Sequence, residues 1–224
     1  MSKTIIALTA ALLGASELFG FDPMSRYCFA ETLDVQPATE HADVSPNASP
    51  GIAESCFACH GPQGRAVDGS FPRLAAQSST YIAAQLHAFA RGQRSNPVMM
   101  PIAKGLGEEQ IRSVADFFAH QAPTQATGVV DEAIERRGST IVGMLSCAAC
   151  HGEQLVGKDP APRLAGQRES YLAEQLTAFK GGSRRDPSGA MNGIATAIPA
   201  ADIPVVASYL AAMPISRSAS DSSR

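Results

Sequence analysis

The sequence predicts an all-α protein built from two tandem copies of one small helical unit. Three observations carry this: a motif and its surroundings occur twice, apolar residues recur at helical spacing in both copies, and sustained strand-like alternation is missing. Cys56-Phe-Ala-Cys59-His60-Gly61 returns as Cys147-Ala-Ala-Cys150-His151-Gly152. Pro72-Arg73-Leu74-Ala75, Gln77, Tyr81, Gln85-Leu86, Phe89, Gly92 and Arg94 return as Pro162-Arg163-Leu164-Ala165, Gln167, Tyr171, Gln175-Leu176, Phe179, Gly182 and Arg184. Further on, Ile102-Ala103 matches Ile194-Ala195, and Ile111, Val114, Ala115 and Phe118 match Ile203, Val206, Ala207 and Leu210.

Taken in order, residues 1–30 read as a cleavable export signal. Lys3 precedes an apolar run from Ile5 to Leu13, and Cys28 and Ala30 are small enough to fit a cleavage site after Ala30. That run is far shorter than the roughly 20 residues a membrane span needs, and Glu17 and Asp22 interrupt its extension. Residues 31–50 form an acidic tail without a sustained period and are expected to be disordered, as are residues 215–224. The copies occupy residues 51–122 and 131–214, joined by a polar, punctuated linker over 123–130.

Within each copy, Ile82, Leu86 and Phe89 fall on one helical face, as do Leu172, Leu176 and Phe179, with Gly92 and Gly182 as stops. A last helix carries Ile111, Val114, Ala115 and Phe118, and Pro204 sits in the first turn of its twin, where a missing N–H costs little. Between the Cys-rich motif and the first long helix lies an irregular loop.

The formal charge of −3 excludes a strongly basic surface, and no nucleic-acid partner is expected. Aromatic residues make up 6% and tryptophan is absent, which is thin material for two small cores. Domains of this size need a staple.

The motif supplies one. Cys-x-x-Cys-His is the attachment signature of c-type haem, in which both thiols form thioethers to the porphyrin and the imidazole ligates iron. Cys56, Cys59, Cys147 and Cys150 are every cysteine outside the signal, and His60 and His151 follow them. A zinc ribbon would separate its cysteine pairs by about 15–20 residues, whereas 87 residues lie between Cys59 and Cys147. A thioredoxin-like dithiol would need a βαβ context, and simple disulfides would not explain a histidine after each pair.

The sixth iron position can stay open, take a second histidine, or take a methionine thioether. His41 lies in the tail, while His87 and His120 are matched by Thr177 and Ala212, so none recurs as a ligand would. Met99 and Met191 each stand three residues before the repeated Ile-Ala pair, the one methionine position present in both copies. They are the expected axial ligands, with Met100 as the alternative to Met99. Pro72 and Pro162, by chain position alone, are turn residues.

These motifs together resemble the bacterial di-haem class I cytochromes c, the two-domain type whose c carries the subscript four, over about residues 51–214. The resemblance implies two tandem small helical cytochrome c domains, each around a covalently attached haem with His–Met ligation. It also implies that the carbonyls of Pro72 and Pro162 receive the second ring N–H of each haem-ligating histidine. Tyr81 and Tyr171 are candidates for contact with the haem carboxylates, the alternative being half-buried helix aromatics. Arg94 and Arg184 are expected to be solvated helix-end charges. Two departures weaken the match: Ala76 stands where the second copy has Gly166, and the loop from Arg184 to Met191 is two residues longer than that from Arg94 to Met99.

The expected function is that of a periplasmic electron carrier, not an enzyme, moving single electrons from a donor cytochrome complex or dehydrogenase to an acceptor such as a terminal oxidase, and meeting membranes only through those partners. Two alternatives are a cytochrome subunit fixed in a dehydrogenase complex and a di-haem peroxidase, which would need a sixth position that opens.

Overall fold

The computed structural model describes residues 51–66, 71–124, 126 and 128–215. The export signal, the acidic tail and residues 216–224 lie outside the described residues. Among those described, every regular element is helical, apart from one isolated bridge between Lys158 and Ala161.

The first copy comprises α1 (Gly51–Glu54), α2 (Phe57–His60), α3 (Ser79–Ala90), α4 (Met99–Lys104) and α5 (Glu108–Ala119). The second comprises α6 (Glu132–Met144), α7 (Cys147–His151), α8 (Glu169–Lys180), α9 (Ala190–Ala197) and α10 (Ile203–Ala212). Local chemistry sets their starts. The Ser78 hydroxyl accepts from the Tyr81 amide at the head of α3, Asp131 accepts from the Ile134 amide at the head of α6, and Pro204 occupies the first turn of α10.

Each copy has its own core. Ile82, Leu86 and Phe89 of α3 meet Ile111, Val114, Ala115 and Phe118 of α5; Leu172 and Leu176 of α8 meet Ile203, Val206, Ala207 and Leu210 of α10. These are the residues the helical spacing selects, because a 3.6-residue period lines them on one face. Phe57, Phe117 and Phe118 add an aromatic cluster to the first core, with ring centroids 5.2–6.2 Å apart. Ile215, assigned to the C-terminal tail by its position, is instead buried in the second core.

The loop between the Cys-rich helix and the long helix is pinned identically in both copies. Leu74 and Ala75 amides donate to the Gly64 carbonyl, as Leu164 and Ala165 do to that of Leu155. Ala76 then donates to Phe118, and Gly166 to Leu210. The loop is thereby tied to the last helix of its own copy, which fixes Pro72 and Pro162.

Candidate functional site

The Cys-x-x-Cys-His motifs form α2 and α7, one turn each, so the histidine follows directly behind the thiols on a short rigid element. His60 and His151 are buried at 7% and 5% exposure. Their Nδ1 atoms lie 3.0 Å and 2.7 Å from the carbonyls of Pro72 and Pro162. A carbonyl can only accept, so each Nδ1 carries the proton and each Nε2 keeps its lone pair, the form in which imidazole binds a metal. Burial holds both rings below the ordinary imidazole range, with the proline carbonyls acting in the opposite sense and Asp186 adding to that at His151. Burial likewise pushes the Cys56 and Cys147 thiols up. None of the four cysteines is in a disulfide. Among the described residues, no three His, Cys, Asp or Glu side chains gather as a metal cluster.

One cavity of about 1640 Å³ runs along both copies. Its walls include Cys56, Cys59, His60, Cys147, Cys150 and His151, and also Met99 and Met191, Pro72 and Pro162, Tyr81 and Tyr171. Met100 is not among them. It packs against the first core, with its terminal methyl beside Gly92. His87 pairs with Glu108 at 3.5 Å and His120 is exposed, far from any ligand role.

The repeated segments also meet one another. Arg94 donates to Gln85 at 2.8 Å in its own copy and, across the boundary, to the Tyr171 hydroxyl and Gln175, both at 2.9 Å. Arg184 mirrors this with Gln175, the Tyr81 hydroxyl and Gln85 at 2.8, 2.9 and 2.9 Å. The guanidiniums stack on Phe89 and Phe179 at 4.5 and 4.4 Å. Both arginines are therefore structural cross-links rather than solvated helix ends, and Arg184 is 8% exposed. A second mirrored pair lies nearby: Gln77 bonds the backbone N–H and carbonyl of Arg163 at 2.8 and 3.2 Å, and Gln167 those of Arg73 at 2.7 and 2.9 Å.

The family described as Cytochrome c matches residues 135–214, and that described as Cytochrome C oxidase, cbb3-type, subunit III matches residues 51–118. The cytochrome c4 of Pseudomonas aeruginosa is 33% identical over 181 residues, which span 76% of this chain and 89% of that protein. This chain belongs to the cytochrome c4 family. The crystal structure of reduced recombinant cytochrome c4 from Pseudomonas stutzeri superposes with a TM-score of 0.67 at 27% identity, covering 75% of this chain and 99% of that one. The thiosulfate dehydrogenase electron acceptor of Thiomonas intermedia is 36% identical over 215 residues, 91% of this chain and 98% of that protein. As a cytochrome c4-type protein, the chain is an electron-carrier cytochrome with two covalently bound haem c groups.

The walls of the cavity suit that cofactor. Leu86, Phe89, Leu176 and Phe179 offer apolar surface to a porphyrin face, and the two histidines offer Nε2 lone pairs. A further sign was not singled out in the sequence. Arg163, 2% exposed and on the cavity wall, has a buried Nε without a hydrogen-bond partner, although its other nitrogens donate to Ala165 and Ala75. Burial, then the Arg73 charge, lowers its pKa to about 10. A carboxylate in the cavity answers both needs, and haem carries two. In a cytochrome c4, then, the Pro-Arg-Leu-Ala segment serves the cavity and the boundary between copies at once.

Proposed function

We propose that this cytochrome shuttles single electrons in the periplasm, each copy (residues 51–122 and 131–214) acting as one redox domain with 123–130 as linker. Cys56 and Cys59 would hold one haem by thioethers, and Cys147 and Cys150 the other. His60 with Met99 would ligate one iron, and His151 with Met191 the other. The observation that carries this reading is the shared cavity, whose walls contain both Cys-His sets together with the one methionine position that recurs. When bound, each haem supplies one-electron Fe(III)/Fe(II) cycling, at a potential raised by a thioether ligand.

The chain's own residues do the rest. Pro72 and Pro162 hold the imidazole tautomer and ring plane. Cores built from α3, α5, α8 and α10 keep water from the site. Tyr81 and Tyr171 accept from arginines of the opposite copy, and the Tyr171 hydroxyl also accepts from that of Tyr81, so the two phenols join the copies at the cavity wall. A histidine and a methionine on each iron would leave no position for a substrate, which favours a carrier over a peroxidase.

A dehydrogenase is the proposed donor, supported by the Thiomonas intermedia relative named as a thiosulfate dehydrogenase electron acceptor. The acceptor is proposed to be a terminal oxidase, and export by residues 1–30 would deliver the chain to its compartment. The test is anaerobic mixing of oxidised protein with thiosulfate and a thiosulfate dehydrogenase. Reduction in both α-bands, and none without the enzyme, is expected; no reduction would remove that donor. Separately, Met99→Ala should lower the potential of one haem and let carbon monoxide bind it. An unchanged potential without carbon monoxide binding would remove Met99 as ligand.

A further inference from the structure

Among the described residues, five large apolar side chains stand exposed: Phe71, Val98, Ile102, Val129 and Met144. Phe71, Val98 and Ile102 all line the shared cavity, and all belong to the first copy. Val129 lies in the linker and Met144 off the cavity wall. Phe71 stands edge-on to the His60 ring, with centroids 6.1 Å apart. Val98 directly precedes Met99, and Ile102 follows it by three residues in α4, the spacing of neighbours on one helix face. The first site thus has exposed apolar residues beside both its histidine and its methionine. Their twins in the second copy are Ala161, Ala190 and Ile194, of which the last is half-buried. The run from Ser95 to Ala103 carries no charge and adds Pro97 and Pro101 to the exposed surface. The matching run of the second copy opens on Arg185 and Asp186, and Lys158 and Asp159 stand exposed beside Ala161.

We infer that the first copy is the port through which electrons enter, and that the dehydrogenase donor docks an uncharged, apolar collar around its own cofactor onto Phe71, Val98 and Ile102. A charged collar would lose its water against this rim without gaining a partner charge, whereas an apolar one gains by covering it. The size of the rim sets the kind of contact. Three partly exposed side chains cover on the order of a few hundred Å², short of the roughly 800 Å² each partner gives to a stable complex and in the range of weak electron-transfer encounters. A partner that comes and goes fits such a rim, and a second copy of this chain does not. In the encounter one electron leaves the donor's cofactor and reduces Fe(III) of the first site to Fe(II), with no bond made or broken. The second site is then filled from the first, across the boundary between the copies. The inference rests on the proposed dehydrogenase donor.

The test is the bimolecular rate at which a thiosulfate dehydrogenase, supplied with thiosulfate, reduces the oxidised holoprotein as wild type, Val98→Lys, Ile102→Lys and the second-copy control Ala190→Lys. A lysine in the dock leaves an unpaired charge at the contact, so Val98→Lys and Ile102→Lys should each slow the reaction about tenfold. Ala190→Lys should keep the wild-type rate. Ascorbate, too small to need a dock, should reduce all four proteins alike, which separates a lost dock from a damaged site. Where a lysine variant changes the ascorbate rate, Val98→Ser or Ile102→Ser takes its place, with about threefold slowing expected. Wild-type rates in both first-copy variants, or slowing by Ala190→Lys instead, overturn the port and leave the donor standing. A wild type that the dehydrogenase does not reduce overturns the donor, and this inference with it. Wild-type dimers that dissociate in Ile102→Lys would make a second copy the occupant, and first-copy variants slowed only in their oxidation by a terminal oxidase would place the acceptor there; either result overturns the inference.

Discussion

Ala76 sits at a φ of 55°, in the left-handed region where its counterpart Gly166 sits at 64°. An alanine there costs about 1–2 kcal/mol, partly offset by its smaller loss of freedom on folding. The conformation persists because the Ala76 amide donates to Phe118 at 2.9 Å, the bond that ties the loop to α5. Ala76→Gly should therefore stabilise the protein by about 0.5–1 kcal/mol, measured as a higher denaturant midpoint with unchanged slope. The departure of Ala76 from the repeat is thus a matter of strain, not of altered geometry. The same scale separates Met99 from Met100. The repeat picks out Met99 because it alone has a twin; both methionines pack against the first core, and Met99 also lines the cavity wall. Nothing comparable pointed to Arg163, since an orphaned Nε follows from three-dimensional burial that spacing does not carry.

Among the elements, α3, α5, α8 and α10 were legible because their apolar residues keep a helical period through to the ends. The 13-residue helix α6 was not: its apolar residues are sparse, and Gly138 and Gly143 interrupt it. Gly138 explains its place. A Cβ there would lie 2.4 Å from Cβ of Tyr209, so the glycine lets α6 cross α10 in close contact. Gly138→Ala should force the helices apart and cost about 1–3 kcal/mol, read by chemical denaturation. A change under a few tenths would mean that α6 shifts freely on its neighbour. The longer second methionine loop, which weakened the resemblance, also has a physical account. Asn192 donates to the carbonyls of Phe179 and Arg184, both at 2.8 Å, and accepts from the Asp186 amide at 2.9 Å, so the extra residues are anchored to the end of α8.

For the molecule as a whole, repetition means more than descent from one unit. Arg73, Gln77, Arg94 and their twins recur because each touches the opposite copy, and a near-symmetric boundary needs the same residues on both sides. From the sequence alone Arg94 and Arg184 read as helix ends and the others only as repeated positions, because a linear repeat does not show which faces meet. Replacing Gln77 and Gln167 together by alanine leaves backbone groups of Arg73 and Arg163 without those partners, at about 1–3 kcal/mol for each buried group. The double variant should uncouple the copies, so that one cooperative unfolding transition of the holoprotein becomes two while both haem spectra stay intact. A single transition at the wild-type midpoint would mean that these glutamines do not hold the copies together.

The proposed closure of each of the two haem sites by one histidine and one methionine is tested most directly by the absorption spectrum of the oxidised holoprotein, with covalent haem quantified per chain and carbon monoxide added after reduction. Two haems per chain, a red band with the intensity of two Met-ligated irons, and no carbon monoxide binding are the predicted result. Carbon monoxide binding to the unmodified protein, or a band of half that intensity, would contradict it.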